Sequence, residues 1–256
     1  MRFAAIVEYD GTGFNGWQVQ PNAPTVQLEV EKALSQLYGE SIRVVASGRT
    51  DTGVHARGQV IHFDAPERYP PKTIRSAINH FLDERVSLVY VKEVEESFHA
   101  RFSARRKKYL YRLISAETRP AIGRQYVHFT SEPLDLAAMR EAARLFVGEV
   151  DFRPFASEPD RGASCIRLMH SAEVILVGNH EYDFSFVASG FLYNLVRSLV
   201  GTLLAVGRGR MTAADVGRII CEGDRSEVPP LAPPQGLSLQ WVEYDGHPDL
   251  QRKEVE

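Results

Sequence analysis

The segment Ser47-Gly48-Arg49-Thr50-Asp51-Thr52-Gly53-Val54-His55 sets one carboxylate between two glycines. Glycine reaches conformations closed to other residues and lets a ligand approach the backbone closely. Asp51 is therefore a candidate for chemistry on a bound substrate. The same pattern also describes a polar turn in which Asp51 bonds its own backbone. A second segment, His99 to Arg112, carries six cations (Arg101, Arg105, Arg106, Lys107, Lys108 and Arg112) and no acid. Such a stripe can neutralise phosphates. Tyr109 and Tyr111 alternate with Leu110 and Arg112, so on a strand both rings share a face, which suits stacking on an unpaired base. A charge-protected edge strand would look the same. A third segment, residues 190–207, is apolar at helical spacing and holds Arg197 just outside the apolar stripe. A partly buried arginine there calls for a carboxylate partner; a snorkelling surface arginine is the alternative.

Other patterns carry less. Gly11-Thr12-Gly13-Phe14-Asn15-Gly16 matches a dinucleotide fingerprint, but Pro21 and Pro24 block the helix that should follow; tight turns are expected instead. Asp51-Thr52-Gly53 resembles an aspartic-protease triplet without the second copy needed for a shared proton. The histidines form no H-x-x-x-H pair, and Cys165 and Cys221 are the only cysteines, so neither a metal site nor a disulfide framework is expected.

These residues sit in an ordinary globular composition. Of 256 residues, 44% are hydrophobic and 25% charged, which excludes a disordered or fibrous chain. The net charge of −3 gives no general support for nucleic-acid binding, so the local stripe must supply it. The opening run meets Glu8 and Asp10 too soon for a signal peptide, and no apolar stretch reaches the ~20 residues of a membrane span. A cytoplasmic protein is expected.

Strands are predicted at residues 3–9, 42–46, 60–63, 86–94, 109–115, 166–177, 181–187 and 237–242. A helix begins after Thr25, with Val26, Val30, Ala33, Leu34 and Leu37 at helical spacing, and stops at Gly39. Pro71 opens a second that buries Ile74, Ile78, Phe81 and Leu82. Asp135 caps a third bearing Met139, Ala142, Leu145 and Phe146. A fourth starts near Phe191, and Thr212 with Asp215 starts a fifth with a capping box. Pro229, Pro230, Pro233 and Pro234 make an extended connector. The result is an α+β fold of two halves similar in element order, sharing a mostly antiparallel sheet with a cleft between them. The expected divisions are 1–103, 104–246 and a polar, frayed tail 247–256.

Together the three segments resemble the tRNA pseudouridine synthase A family. Gly48 to Ala56 matches its G-R-T-D-x-G-V-H-A signature. Glu8-Tyr9-Asp10-Gly11-Thr12, Gly16-Trp17-Gln18, Pro21 to Gln27, Phe98 to Ala104 leading to Tyr109, and Val196-Arg197 with Val200-Gly201 follow in order. Thr52 stands where alanine is more usual, and Leu28 where glycine is expected. The resemblance implies a two-domain α+β homodimer that isomerises uridine to pseudouridine in the anticodon arm of tRNA, around its positions 38–40. It implies Asp51 as the essential carboxylate, Tyr109 as the aromatic against the target base and Arg197 as the ion-pair partner of Asp51.

That reaction needs no cofactor. Detaching uracil from the ribose develops positive charge at the anomeric carbon, which a carboxylate can attack or stabilise; removal of a ribose proton by Asp51 is the other route. Arg49 is a candidate for the target's phosphate or the gap left in the stem. Arg101, Arg105, Arg106, Lys107 and Lys108 are candidates for the RNA backbone. An RNA-binding protein without catalysis and a metal-free N-glycosyl hydrolase are the competing readings.

Overall fold

The computed structural model describes residues 1–157 and 164–252. In chain order the elements are β1 (Arg2–Tyr9), α1 (Val26–Tyr38), β2 (Val44–Ala46), β3 (His55–Asp64), α2 (Pro71–Phe81), β4 (Val86–Val94) and β5 (Ala104–Ser115). They continue with β6 (His128–Thr130), α3 (Leu136–Arg144), β7 (Gly148–Asp151), β8 (Ile166–Gly178), β9 (Glu181–Ala188), α4 (Leu195–Gly207), α5 (Ala213–Glu222) and β10 (Leu237–Tyr244). Two units result. The first is Met1–Lys107 with the chain from Ser238 onward; the second is Lys108–Leu237.

In the first unit β1 lies between β3 and β4, antiparallel to both, with Phe3 opposite Phe63 and Ile6 opposite Val60 and Tyr90. Its residues 3–7 are buried without alternation, as expected of a strand covered on both faces. β2 pairs antiparallel with β3, Val45 facing His62. Thr25 supplies an extended N-cap for α1, and Gly39 ends that helix at φ 72°, a left-handed turn favouring glycine. α1 packs on α2. Spacing predicts burial of Phe81, but that ring is 43% exposed and Leu82 is half-buried, because α2 ends there and only Ile74 and Ile78 face inward.

The last strand corrects the division expected from sequence. β10 runs parallel to β3, Ser238 opposite His55 and Leu239 opposite Ala56, so this strand belongs to the first unit although 130 residues separate it from Lys107. The tail is not simply frayed. Leu250 is fully buried, Asp249 accepts from Tyr90 and Lys92, and Arg252 donates to Glu8; residues 253–256 lie outside the described residues.

In the second unit β8 pairs antiparallel with β7 and β9, and β6 lies parallel to β5. α3 packs on β8, α4 and α5. Asp135 accepts from Ala138 at the start of α3, and Thr212 and Asp215 form the capping box of α5. Leu145 falls just past α3 and is 39% exposed, whereas Phe146 is fully buried. α4 begins at Leu195 and not near Phe191: Asn194 sits at φ 60° and delays the first turn. The helix is apolar nearly all round and correspondingly buried.

One buried group makes stability depend on pH. His62 is 4% exposed, and its Nδ1 accepts from Ala100 N at 3.1 Å. Burial, reinforced by the charges of Arg2 and His99, pushes its pKa down to about 4. The unfolded chain, with a histidine near pH ~6.5, binds more protons between those values. Stability from His62 is therefore complete above pH ~6.5 and lost as pH falls towards 4, by up to ~1.4 kcal/mol per pH unit. Urea midpoints of wild type and His62→Gln at pH 7 and 4.5 check this; the acid-induced drop is expected to be smaller in the variant.

Candidate active site

Asp51 lies in the loop between β2 and β3, and that loop is anchored almost residue by residue. Ser47 N donates to Val60 O at 2.7 Å. Ser47 Oγ donates to Gln59 Oε1 at 2.7 Å, and Gln59 Nε2 donates to Gly48 O at 2.9 Å. Thr50 Oγ1 is bonded to the Tyr9 hydroxyl at 2.7 Å, and Thr50 O accepts from Trp17 N at 3.0 Å. Val54 N donates to Asp51 O at 3.1 Å, closing the bend. Asp51 is half-buried, while Arg49 and Thr52 are exposed. The outward position of Thr52 keeps its extra bulk away from the bend. Tyr9 and Trp17, 5.9 Å apart between ring centroids, form the apolar floor, and burial pushes the Tyr9 hydroxyl pKa up.

The glycine-rich stretch after β1 shapes this loop and opens no helix. A Cβ on Gly11 would lie 2.1 Å from Val54 O, and one on Gly16, whose φ is 81°, 2.6 Å from Thr50 O. Both glycines thus allow a backbone to press directly on the Asp51 bend. Their local pattern accounts for tight turns only; pairing of that turn with the loop is a tertiary contact that no local pattern announces.

The cationic stripe differs from expectation. Arg105 Nε is 2.6 Å from Asp245 Oδ2, and Arg106 meets both carboxylate oxygens of Glu243. Those acids come from the end of β10, so a run that looks acid-free along the chain is partly neutralised in space. Lys107 is half-buried, and its ammonium is engaged with protein where the sequence predicts a phosphate contact: it donates to Ser47 O beneath the Asp51 loop. Burial, aided by Arg101, pushes its pKa down to about 8. Arg101 is exposed, its guanidinium 5.6 Å from the ring centroid of Phe102, itself 76% exposed. Lys108 opens the second unit and is half-buried.

In that unit Tyr109 is 8% exposed and packs edge-on against Phe191 at 4.9 Å. Apolar spacing alone puts Phe191 at the start of a helix, but it precedes α4 and supports Tyr109 instead. Arg197, in the first turn of α4, is half-buried. Its Nε donates to Ala232 O at 2.8 Å and its Nη1 to Asn194 Oδ1 at 3.0 Å. The proline connector reaches that position because Gly201 lacks a Cβ, which would lie 2.2 Å from Pro230 O. Among the described residues no three His, Cys, Asp or Glu side chains gather as metal ligands.

A family model described as tRNA pseudouridine synthase matches residues 5–103 and 142–245. A protein named tRNA pseudouridine synthase A from Geobacillus kaustophilus (strain HTA426) is 42% identical over 245 residues, covering 95% of each chain. One of the same name from Methylobacillus flagellatus (strain ATCC 51484 / DSM 6875 / VKM B-1610 / KT) is 42% identical over 96% of this chain and 94% of its own. A chain from the crystal structure of a Cbf5-Nop10-Gar1 complex aligns with 93% of this one and 58% of its own, at 11% identity and a TM-score of 0.37, too slight a likeness to bear on function.

Proposed function

Because the chain belongs to the tRNA pseudouridine synthase family, we propose that it isomerises uridines in the anticodon arm of tRNA, with Asp51 as the carboxylate that acts on the ribose. The N1–C1′ bond breaks, the uracil turns and a C5–C1′ bond forms; the C5 hydrogen leaves as a proton and N1 gains one. No electrons are exchanged with a partner. The observation that carries this reading is the scaffold around Asp51, where carbonyls and side chains on both flanks fix one acid on a bend. Such preorganisation suits a group that must meet a developing cation without rearranging. Mapping pseudouridine in a transcript treated with the protein tests the location: modification confined to the anticodon stem and loop is expected, and modification confined to another arm overturns it.

Tyr109 is the aromatic surface for the extruded base. Flipping the uridine costs a few kcal/mol, and stacking returns roughly 1–3; the edge-on contact with Phe191 supports this role by holding the ring in place. Arg197 is the guanidinium that keeps Asp51 ionised. Its bonds to Ala232 O and Asn194 leave it oriented without relying on solvent. Arg197→Met is expected to reduce single-turnover rate at least ~10-fold, about 1.4 kcal/mol, with tRNA affinity within about twofold. Weakened affinity at an intact rate would contradict the assignment.

Arg49 and Arg101, both exposed, are the backbone or stem contacts this reading favours. Arg105 and Arg106 contribute less, because carboxylates already face them. Arg101→Ala is expected to lower the slope of log affinity against log salt by about 1, and Arg106→Ala by clearly less; equal changes would contradict this ranking.

The active form is a homodimer in the cytoplasm. The outer face of β8 supports the dimer: Ile166 and Leu168 are 47% and 44% exposed before a bulge at His170 shifts the alternation, and Ile175 and Val177 are 40% and 53% exposed after it. Sedimentation at micromolar concentration tests it, with a monomer as the contrary result.

A further inference from the structure

We propose that Lys107 is a positioning residue for Asp51, its ammonium holding the Ser47 carbonyl and with it the bend from which the carboxylate projects. The proposal rests on the assignment of Asp51 made above. Lys107 closes the first unit as the fourth residue of β5. Its Nζ donates to Ser47 O, and a Cβ on Gly48 would come within 3.2 Å of it, so the ammonium lies directly under the loop's entry. Gln59 bonds the next carbonyl, Gly48 O, from β3. Two successive carbonyls are thus held by side chains from different strands, just ahead of Arg49, Thr50 and Asp51.

The choice of lysine is informative. Burying an ammonium is unfavourable, and the depressed pKa records that. An apolar side chain would fill the space more cheaply, so the charged donor answers a need other than stability. A neutral amide such as that of Gln59 satisfies one carbonyl locally. A lysine reaches further and joins the loop to the strand that runs on to Tyr109 two residues later.

Three variants, Lys107→Met, Lys107→Arg and Asp51→Asn, decide the matter, each measured for single-turnover rate, tRNA affinity, its salt slope and thermal midpoint. Lys107→Met is expected to lose at least tenfold in rate, with affinity within twofold, an unchanged salt slope and a thermal midpoint equal to or above wild type. Lys107→Arg restores most of the rate. A wild-type rate in Lys107→Met overturns the proposal. So does a loss confined to affinity with the salt slope smaller by about one, the signature of a phosphate contact. If Lys107→Met does not fold, Lys107→Gln replaces it: its side chain is one bond too short for Ser47 O, so the same selective loss of rate is expected, and a wild-type rate overturns the proposal. Turnover retained by Asp51→Asn would instead remove the assignment of Asp51, whatever Lys107 does.

Discussion

Asp51→Asn is expected to lower the single-turnover rate by at least ~10³-fold, about 4 kcal/mol of transition-state stabilisation, while tRNA binding stays within a few-fold of wild type. The substitution keeps the shape of the side chain and removes only its charge. An amide can neither attack nor neutralise a developing cation at the anomeric carbon, and it is no base for a ribose proton. Both routes therefore predict the same loss. The local fold should survive, because the bend is held through backbone groups of Ser47, Gly48, Thr50 and Asp51. A thermal midpoint near wild type, with tRNA affinity measured by filter retention, distinguishes lost chemistry from lost structure.

Gly11→Ala is expected to act on the same carboxylate from below. Its added Cβ would stand 2.1 Å from Val54 O and 2.7 Å from Val54 C. Neither atom belongs to a movable side chain, so the Asp51–Val54 turn or the start of the preceding loop must shift. Overpacking of this kind costs about 1–3 kcal/mol, which lowers the thermal midpoint of a chain this size by roughly 2–12 °C. Displacement of the bend by even part of an ångström is expected to reduce turnover by ~10²-fold. Gly39→Ala is the control: φ is 72° there, but nothing lies within 4 Å of the added carbon. It should cost about 1 kcal/mol of stability and leave turnover unchanged.

Much of this was legible along the chain, and the exceptions share a cause. The Thr25 start, the Gly39 stop, the Asp135 cap and the Thr212–Asp215 box are local devices, and each occurs where the residue types require it. The Asp51 bend was also legible, since two glycines around Arg-Thr-Asp are a strong local signal. What sequence could not supply is pairing at long range. β10 joins β3 across most of the chain, and this brings Glu243 and Asp245 to Arg106 and Arg105. Lys107 reads as one more cation in a solvated stripe until the loop that it supports is seen above it. The late start of α4 is a smaller example: Asn194 at φ 60° breaks a helix that apolar spacing alone extends to Phe191.

The central claim is best tested with tRNA carrying tritium at uridine C5, mixed with protein in excess so that affinity does not limit the reaction. Wild type should release tritium in step with pseudouridine and free no uracil, and Asp51→Asn should release none while still holding the tRNA. Tritium release by Asp51→Asn at the wild-type rate, or free uracil from wild type, would contradict the account.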